Sequence, residues 1–177
     1  AIAKADIVLS SGGVSVGDYD YVEKILESLG GEIKVRSVAM KPGKPLTVAS
    51  FSIPNAQSPI PHSPIYFGLP GNPASALVSF WRFVEPVIKK CSSIVEGWQP
   101  KFIKAQTRQD LNSNGKRETY IWGKLDLVNG VNYFSTADGS KSSGNLINLA
   151  RTNALAVLEV GKSSFKAGEE VRVLQVY

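Results

Sequence analysis

The 177-residue chain carries 20 lysines and arginines against 15 acidic residues, and 43% of its residues are hydrophobic. This composition predicts one or two globular domains with a buried core, and a net charge of +5 without a basic run disfavours nucleic acid as a partner. A single cysteine, Cys91, excludes a disulfide framework, and no apolar stretch is long enough to span a membrane, so the cytoplasm is the expected compartment.

The first predicted element is a short strand at residues 7–9, expected to be buried on both faces, which leads into a loop rich in glycine. An amphipathic helix follows from residue 21 and stops at Gly30. Backbone N–H groups in such a loop and the N-terminus of the helix can bind an anion. The same glycines also suit a purely structural turn, and both interpretations stay open here.

Two carboxylates, Asp18 and Asp20, lie between this loop and the helix. Aspartate is a preferred N-cap, so one of them is expected to cap the helix. A second carboxylate beside an anion-binding loop usually indicates a bound cation such as Mg²⁺.

A second loop, KPGKP at residues 41–45, connects two predicted strands at residues 33–40 and 46–49. Its prolines fix backbone angles and its glycine permits a tight turn, so the ammonium groups of Lys41 and Lys44 are expected to converge on one oxyanion or phosphate. The only histidine, His62, falls in a loop rich in proline and serine and is not expected to be catalytic.

The third loop, GLPGNP, follows a predicted strand at residues 65–69. Asn72 as N-cap and Pro73 as first helical residue predict a helix to about residue 90, which Pro86 should kink or break. Because all three loops follow strands of one expected parallel sheet, we expect them to share an edge, where such sheets bind ligands.

From residue 98 the pattern changes to short strands and turns, typical of a small antiparallel barrel or sandwich. The predicted strands are at residues 101–108, 118–125, 131–136, 154–160 and 171–177. Between them DGSKSSGN, at residues 138–145, either meets an anion through its serines and lysine or caps the short helix that follows. The sequence thus divides into an α/β part, residues 1–97, and a β part, residues 98–177.

The chain resembles the C-terminal half of the molybdopterin molybdenumtransferases, the MoeA/gephyrin E-domain family. The matching motifs are SGGVSVGDYDY at residues 11–21, MKPGKP at residues 40–45 and FGLPGNPASAL at residues 67–77, and the serine–glycine segment before LINLARTN also fits. The resemblance implies that the first part is the C-terminal portion of a MogA-like, Rossmann-like three-layer molybdopterin-binding domain. It also implies that the second part is the barrel-like C-terminal domain IV.

The resemblance implies a step of molybdenum cofactor biosynthesis in which molybdate enters adenylylated molybdopterin and AMP is released. The active-site residues carried over are Asp20, Lys41, Lys44 and Ser143, with Ser140 as the alternative serine, and Mg²⁺ is assigned to Asp20 and Asp18. The residues expected to bind the substrates are Ser11, Gly12, Gly13, Ser15, Gly17, Pro42, Gly43, Pro70, Gly71 and Asn72. Ser37 stands where some relatives have a lysine, and Arg36 could supply that charge unless strand alternation turns it to the other face.

The resemblance further implies a homodimer for the full-length protein and a molybdopterin adenylyltransferase as its upstream partner. The family's N-terminal domains are not in this sequence, so the chain alone is expected to be inactive as an enzyme. Two other functions stay open: a molybdopterin- or nucleotide-binding domain of a related adenylyltransferase, which residues 98–177 disfavour, and a non-enzymatic gephyrin-like scaffold.

Overall fold

The computed structural model describes residues 2–12, 19–52, 63–137 and 146–176, with the backbone alone at residues 19–20 and 146–148. Contacts divide the chain into two compact units. The first, called the α/β unit, comprises Ala1–Val38 and Gly43–Phe80, and the second, called the barrel unit, comprises Ala39–Pro42 and Trp81–Tyr177. No helix in the described part of the chain is long and apolar enough to cross a membrane.

The α/β unit is built on a four-stranded sheet. Its elements are a 3₁₀ turn (Ile2–Lys4), strands β1 (Ile7–Ser11), β2 (Gly31–Ser37), β4 (Pro45–Phe51) and β5 (Ile65–Leu69), and helices α1 (Tyr19–Ser28) and α2 (Pro73–Ser79). The strand order is β1-β5-β4-β2, in which β1 and β5 are parallel and β4 is antiparallel to both its neighbours. The sheet is therefore mixed rather than parallel as expected, because the short connection from β2 to β4 cannot make a parallel crossover.

The core of the α/β unit lies between α1 and the sheet. It contains Leu26, Ala49, Phe51 and Tyr66, with Val8 and Val22 among the partly buried residues packed against it. The prediction that residues 7–9 are buried on both faces was wrong: β1 is an edge strand of the described sheet, and Leu9 is 43% exposed. On α1 the apolar face is covered only in part, since Tyr21 is 72% exposed.

The predicted helix at residues 74–90 is broken. Helix α2 ends at Ser79, a π-helical segment runs over Phe80–Val84, and α3 spans Glu85–Cys91. Pro86 lacks an N–H, and its ring clashes with the carbonyl four residues earlier, so a regular helix cannot pass through it. The expected effect of Pro86 is confirmed.

The barrel unit contains a closed barrel of five strands. Its elements are α3, a 3₁₀ turn (Leu146–Arg151) and strands β3 (Met40–Lys41), β6 (Phe102–Thr107), β7 (Leu111–Asn112), β8 (Glu118–Val128), β9 (Val131–Thr136), β10 (Ala154–Leu158), β11 (Ser164–Phe165) and β12 (Glu170–Gln175). The barrel order is β10-β12-β6-β9-β8, closed by pairing of β10 with β8. Its interior is apolar, with Phe134 and Val173 fully buried. The predicted barrel-like β-domain is confirmed, but the barrel is not wholly antiparallel, because β6 and β9 pair in parallel.

The predicted strand at residues 33–40 was wrong as a single element. β2 ends at Ser37, where the Val38 N–H donates to the Lys44 carbonyl at 3.0 Å and turns the chain. Met40 and Lys41 then form β3, which pairs in parallel with the start of β8 in the barrel unit. Met40 is 3% exposed, so burial of this side chain stabilises the pairing.

Candidate functional site

Three segments of the α/β unit lie at the same end of its strands, here called the rim. They are Ser11 with Gly12, residues 70–72, and Gly43 with Lys44. Strands β1 and β5 are parallel and in register, with Ser11 opposite Leu69, so both end there. Strand β4 is antiparallel to β5 and therefore starts there. With neighbouring strands about 4.8 Å apart, the ends of β1 and β5 and the start of β4 lie within about 10 Å of each other, and the three segments extend from them.

Two of these segments pack backbone against backbone. Gly12 has a φ of +87°, and its N–H donates to the Leu69 carbonyl at 3.3 Å. A β-carbon on Gly71 would stand 3.3 Å from the α-carbon of Gly12, so glycine allows the close approach. The Ser11 hydroxyl donates to the Pro70 carbonyl at 3.3 Å. The Gly12 amide is thus engaged within the protein, and the Ser11 oxygen keeps its lone pairs for a ligand's donor.

Asn72, the last residue of the rim segment at 70–72, caps the N-terminus of α2. Its side-chain oxygen accepts hydrogen bonds from the Ser75 backbone N–H at 3.2 Å and from the Ser75 hydroxyl at 3.4 Å. Pro73 occupies the first turn of α2, where no N–H is needed. The predicted N-cap is confirmed, and it sets the direction in which the chain enters the helix.

The KPGKP loop has an unusual backbone. The peptide bond between Lys41 and Pro42 is cis, and Gly43 has a φ of +105°. Lys44 belongs to the α/β unit, whereas Lys41 belongs to the barrel unit through β3. Both side chains are exposed, and among the described residues neither forms an ion pair. The convergence of the two ammonium groups stays a prediction.

A polar cluster in the barrel unit was not predicted from the sequence. Tyr120 donates its hydroxyl proton to the Glu118 carboxylate, and Arg82 Nε donates to the Tyr120 oxygen at 3.0 Å. Arg172 donates to the other Glu118 oxygen at 3.1 Å. Burial, and then the hydrogen bond to Glu118, raise the pKa of Tyr120. The sequence does indicate that Glu118 and Tyr120 lie on the same face of a strand, because they are two residues apart. It does not indicate their partners, Arg82 and Arg172, which are distant in sequence.

Arg36 is paired within the α/β unit. Its guanidinium contacts the carboxylate of Glu23 and lies 3.3 Å from that of Glu27, both on α1. The Arg36 charge, which could have replaced the lysine that some relatives have at position 37, therefore points to α1. Strand alternation allowed this outcome.

Several predicted site residues lie outside the described residues. These are Gly13, Ser15, Gly17, Asp18, Ser140 and Ser143, as is His62. Asp20 lies in the first turn of α1, and its side chain is not described. Within the described ranges no three histidine, cysteine, aspartate or glutamate residues gather to hold a metal. The assignments to these residues stay predictions.

A cavity of about 290 Å³ lies elsewhere, in the barrel unit, where Trp98, Pro100 and Lys101 line part of it. No predicted site residue within the described ranges lines this cavity. Its chemistry is also different, because its lining includes the Glu85 carboxylate, which lies 3.0 Å from the Lys89 ammonium. We therefore assign the candidate site to the rim rather than to this cavity.

Two family models match the chain, one over each of its parts. A model of a "probable molybdopterin binding domain" matches residues 1–90, and one of the "MoeA C-terminal region (domain IV)" matches residues 104–176. The predicted domain boundary at residues 97–98 falls between these matches, whereas the contacts divide the chain at residues 80–81. That boundary stays a prediction.

Relatives that match nearly the whole chain include two curated proteins and one solved structure. A molybdopterin molybdenumtransferase of Nostoc sp. is 61% identical over 99% of the chain, and one of Staphylococcus aureus is 32% identical over 98%. The chain spans 39% of the length of each of these curated relatives. The crystal structure of the molybdopterin biosynthesis MoeA protein from Pyrococcus horikosii superposes with a TM-score of 0.72 at 25% identity, covering 100% of the chain and 39% of that protein. The chain therefore belongs to the MoeA/gephyrin E-domain family of molybdopterin molybdenumtransferases and corresponds to its C-terminal portion.

Proposed function

We propose that the chain is the substrate-binding part of a molybdopterin molybdenumtransferase. The whole protein would act in molybdenum cofactor biosynthesis, inserting molybdate into adenylylated molybdopterin and releasing AMP. The observation that carries the proposal is the meeting of Ser11, Gly71 and Lys44 at one sheet edge in a chain of this family. The match of residues 104–176 to domain IV favours this transferase over an adenylyltransferase.

The chemistry of the substrates suits the residues. Molybdate and the phosphates of adenylylated molybdopterin are anionic, so bringing them together requires positive charge. Lys41 and Lys44 supply two ammonium groups that no described carboxylate neutralises. The backbone at residues 70–72 would contact a phosphate at the rim, together with the loop residues Gly13, Ser15 and Gly17. The Ser11 oxygen would accept a hydrogen bond from a donor group of the substrate, because its own proton is donated to the Pro70 carbonyl.

The acidic residues suit a divalent cation. Asp18 and Asp20 offer carboxylate oxygens, the donors that Mg²⁺ prefers, and Asp20 lies in the first turn of α1 directly after the glycine loop. Bound there, Mg²⁺ would supply positive charge beside the phosphoanhydride. Ser143, with Ser140 as the alternative, would contribute a hydroxyl.

The partners belong to the same proposal. We expect the full-length protein to form a homodimer and to receive adenylylated molybdopterin from a molybdopterin adenylyltransferase. Because the chain spans 39% of the length of its curated relatives, we expect the chain alone to bind these substrates without turning them over.

Binding measurements test the proposal. Titration calorimetry with AMP and with molybdate should give dissociation constants about tenfold higher for Lys41→Ala and for Lys44→Ala than for the unmodified chain, since each removes a charge-assisted contact. Lys24→Ala is the matched control, because it removes one charge from the exposed surface of α1. Equal affinities in all four proteins would contradict the proposal.

A crystal soaked with AMP and molybdate gives the second test. We expect density for the AMP phosphate beside Ser11 and Gly71. Density confined to the cavity at Trp98 would instead assign the nucleotide site to the barrel unit.

A further inference from the structure

Lys41 is held in place by the first residues of β8. Strand β3 pairs Met40 with Glu118 and Lys41 with Thr119. The Glu118 N–H donates to the Ala39 carbonyl at 3.0 Å, and the Arg117 guanidinium donates to the Met40 carbonyl at 3.4 Å. Both hydrogen bonds act on the backbone immediately before Lys41, so they fix the origin of its side chain.

The start of β8 is itself bound to two other elements, β12 and the π-helical segment. The Glu118 carboxylate is bound by Arg172 of β12 and by Tyr120 of β8, and Tyr120 is bound in turn by Arg82 of the π-helical segment. The Thr119 hydroxyl donates to the Arg117 carbonyl at 3.0 Å. These bonds leave the backbone at residues 117–119 little freedom to shift.

The chemical nature of this cluster indicates more than packing. The side chains of Glu118 and Arg172 are 26% and 38% exposed, so solvent screens their attraction and the ion pair by itself adds little stability. Arg172 is further stacked on Phe102, with its guanidinium carbon 4.5 Å from the ring centroid. Directional hydrogen bonds specify one backbone geometry where apolar contacts tolerate several.

We propose that Arg117 and Glu118 are positioning residues for Lys41. Arg117 fixes the β3 backbone through the Met40 carbonyl, and Glu118 fixes the β8 residues with which β3 pairs. Together they set the direction from which the Lys41 ammonium meets an oxyanion. This inference rests on the proposed function, in which Lys41 contacts the substrate.

Hydrogen exchange tests the structural half without a ligand. In the full chain, Arg117→Ala should speed exchange of the Glu118 amide about tenfold, because its partner strand is released. Arg108→Ala is the matched control, since Arg108 is exposed and stacks on Tyr133 at 4.7 Å. Unchanged Glu118 exchange in Arg117→Ala would overturn the inference.

A double-mutant cycle on molybdate binding tests the functional half. Arg117→Ala should weaken molybdate binding about threefold to tenfold in the unmodified chain and have no effect in the Lys41→Ala background, because Arg117 acts through Lys41. Arg117→Lys keeps a donor for the Met40 carbonyl and should restore most of the affinity. Additive losses, or no loss in Arg117→Ala, would overturn the inference.

The outcomes separate the two proposals. If Lys41→Ala binds molybdate as tightly as the unmodified chain does, or if neither binds it, the proposed role of Lys41 is wrong. The inference that Arg117 and Glu118 position Lys41 for the substrate is then wrong as well. If Lys41→Ala weakens binding and the Arg117→Ala loss adds to it independently, only the positioning inference is wrong.

Discussion

Gly71 and Gly12 approach each other so closely that a β-carbon on Gly71 would stand 3.3 Å from the Gly12 α-carbon. Gly71→Ala should therefore push the Gly12 backbone away from the rim and weaken AMP binding about tenfold, while the chain still folds. Gly97→Ala is the control, because that position has a φ of +74° and open space around it: it should lose some stability but no affinity. Calorimetric titration and thermal melts of both variants measure the difference.

The Asn72 cap predicts a difference between two substitutions. Asn72→Ala removes the acceptor for the Ser75 N–H and should lower the free energy of unfolding by about 1 kcal/mol. Asn72→Asp keeps an acceptor and should stay within about 0.5 kcal/mol of the unmodified chain. Urea unfolding measures both. Equal losses would show that the cap does not stabilise α2.

The ring pair in the barrel unit predicts a large loss of stability. Trp81 is 7% exposed, and its ring meets that of Trp122 edge to face at 5.3 Å between centroids. Trp81→Ala should cost about 3–5 kcal/mol, because it leaves a cavity and removes the ring contact. Trp98→Ala, at a more exposed ring, should cost clearly less. Denaturant unfolding compares them, and equal losses would contradict the assigned packing.

Two buried threonines predict opposite effects of the same substitution. The Thr47 hydroxyl is buried and has no hydrogen-bond partner among the described residues, whereas the Thr107 hydroxyl donates to the Gln109 carbonyl at 2.7 Å. Thr47→Val should stabilise the chain by about 1 kcal/mol, and Thr107→Val should destabilise it by about 1–2 kcal/mol. Thermal melts give both signs. A destabilising Thr47→Val would indicate that the hydroxyl has a partner outside the described ranges.

The pair of Asp110 and Lys166 predicts a pH dependence. A hydrogen bond from Lys166, and then one from the Ala167 backbone, lower the pKa of Asp110. Because the folded-state pKa is the lower one, the stabilisation is present above the unfolded-state pKa and is lost as the pH falls through the folded-state pKa.

Melting temperatures between neutral pH and acid check this. Asp110→Asn should show a smaller fall in Tm than the unmodified chain as the pH drops below about 4. Glu96→Gln, in an exposed segment, should keep the unmodified acid profile. If the Tm of Asp110→Asn falls over the same pH range and by the same amount as that of the unmodified chain, the Asp110–Lys166 pair does not contribute to the pH dependence of stability.

Local signals predicted local structure well. The strand at residues 131–136 was predicted with its observed bounds, because Asn129 and Gly130 both adopt the positive φ of a tight hairpin turn. The Asn72 cap and the break at Pro86 were also predicted, since each depends on residues within one or two turns. At the site, the strand order puts Ser11, Lys44 and Pro70 at one edge, as the loop positions indicated.

Long-range pairing was not predictable in the same way. Nothing near Met40 in the sequence indicates that it leaves β2 for β8, 78 residues later by their numbers, and the Arg82–Tyr120 and Glu118–Arg172 bonds are equally non-local. Hydrophobic spacing also predicted a buried face for α1, but Tyr21 and Leu29 are exposed, because periodicity does not show whether a partner surface is present.

The short excursion of residues 39–42 limits how the protein can be dissected. A fragment cut at the predicted boundary, residues 98–177, would lack Ala39–Pro42 and α3, although contacts group these residues with the barrel. The Glu118 amide and the Arg117 guanidinium would then lose their backbone acceptors, and the first residues of β8 would present an open ladder to neighbouring molecules. When domains are exchanged among relatives, the KPGKP loop with β3 should therefore be transferred together with the barrel. Transferring either one alone would separate Lys41 from the β8 residues with which its strand pairs.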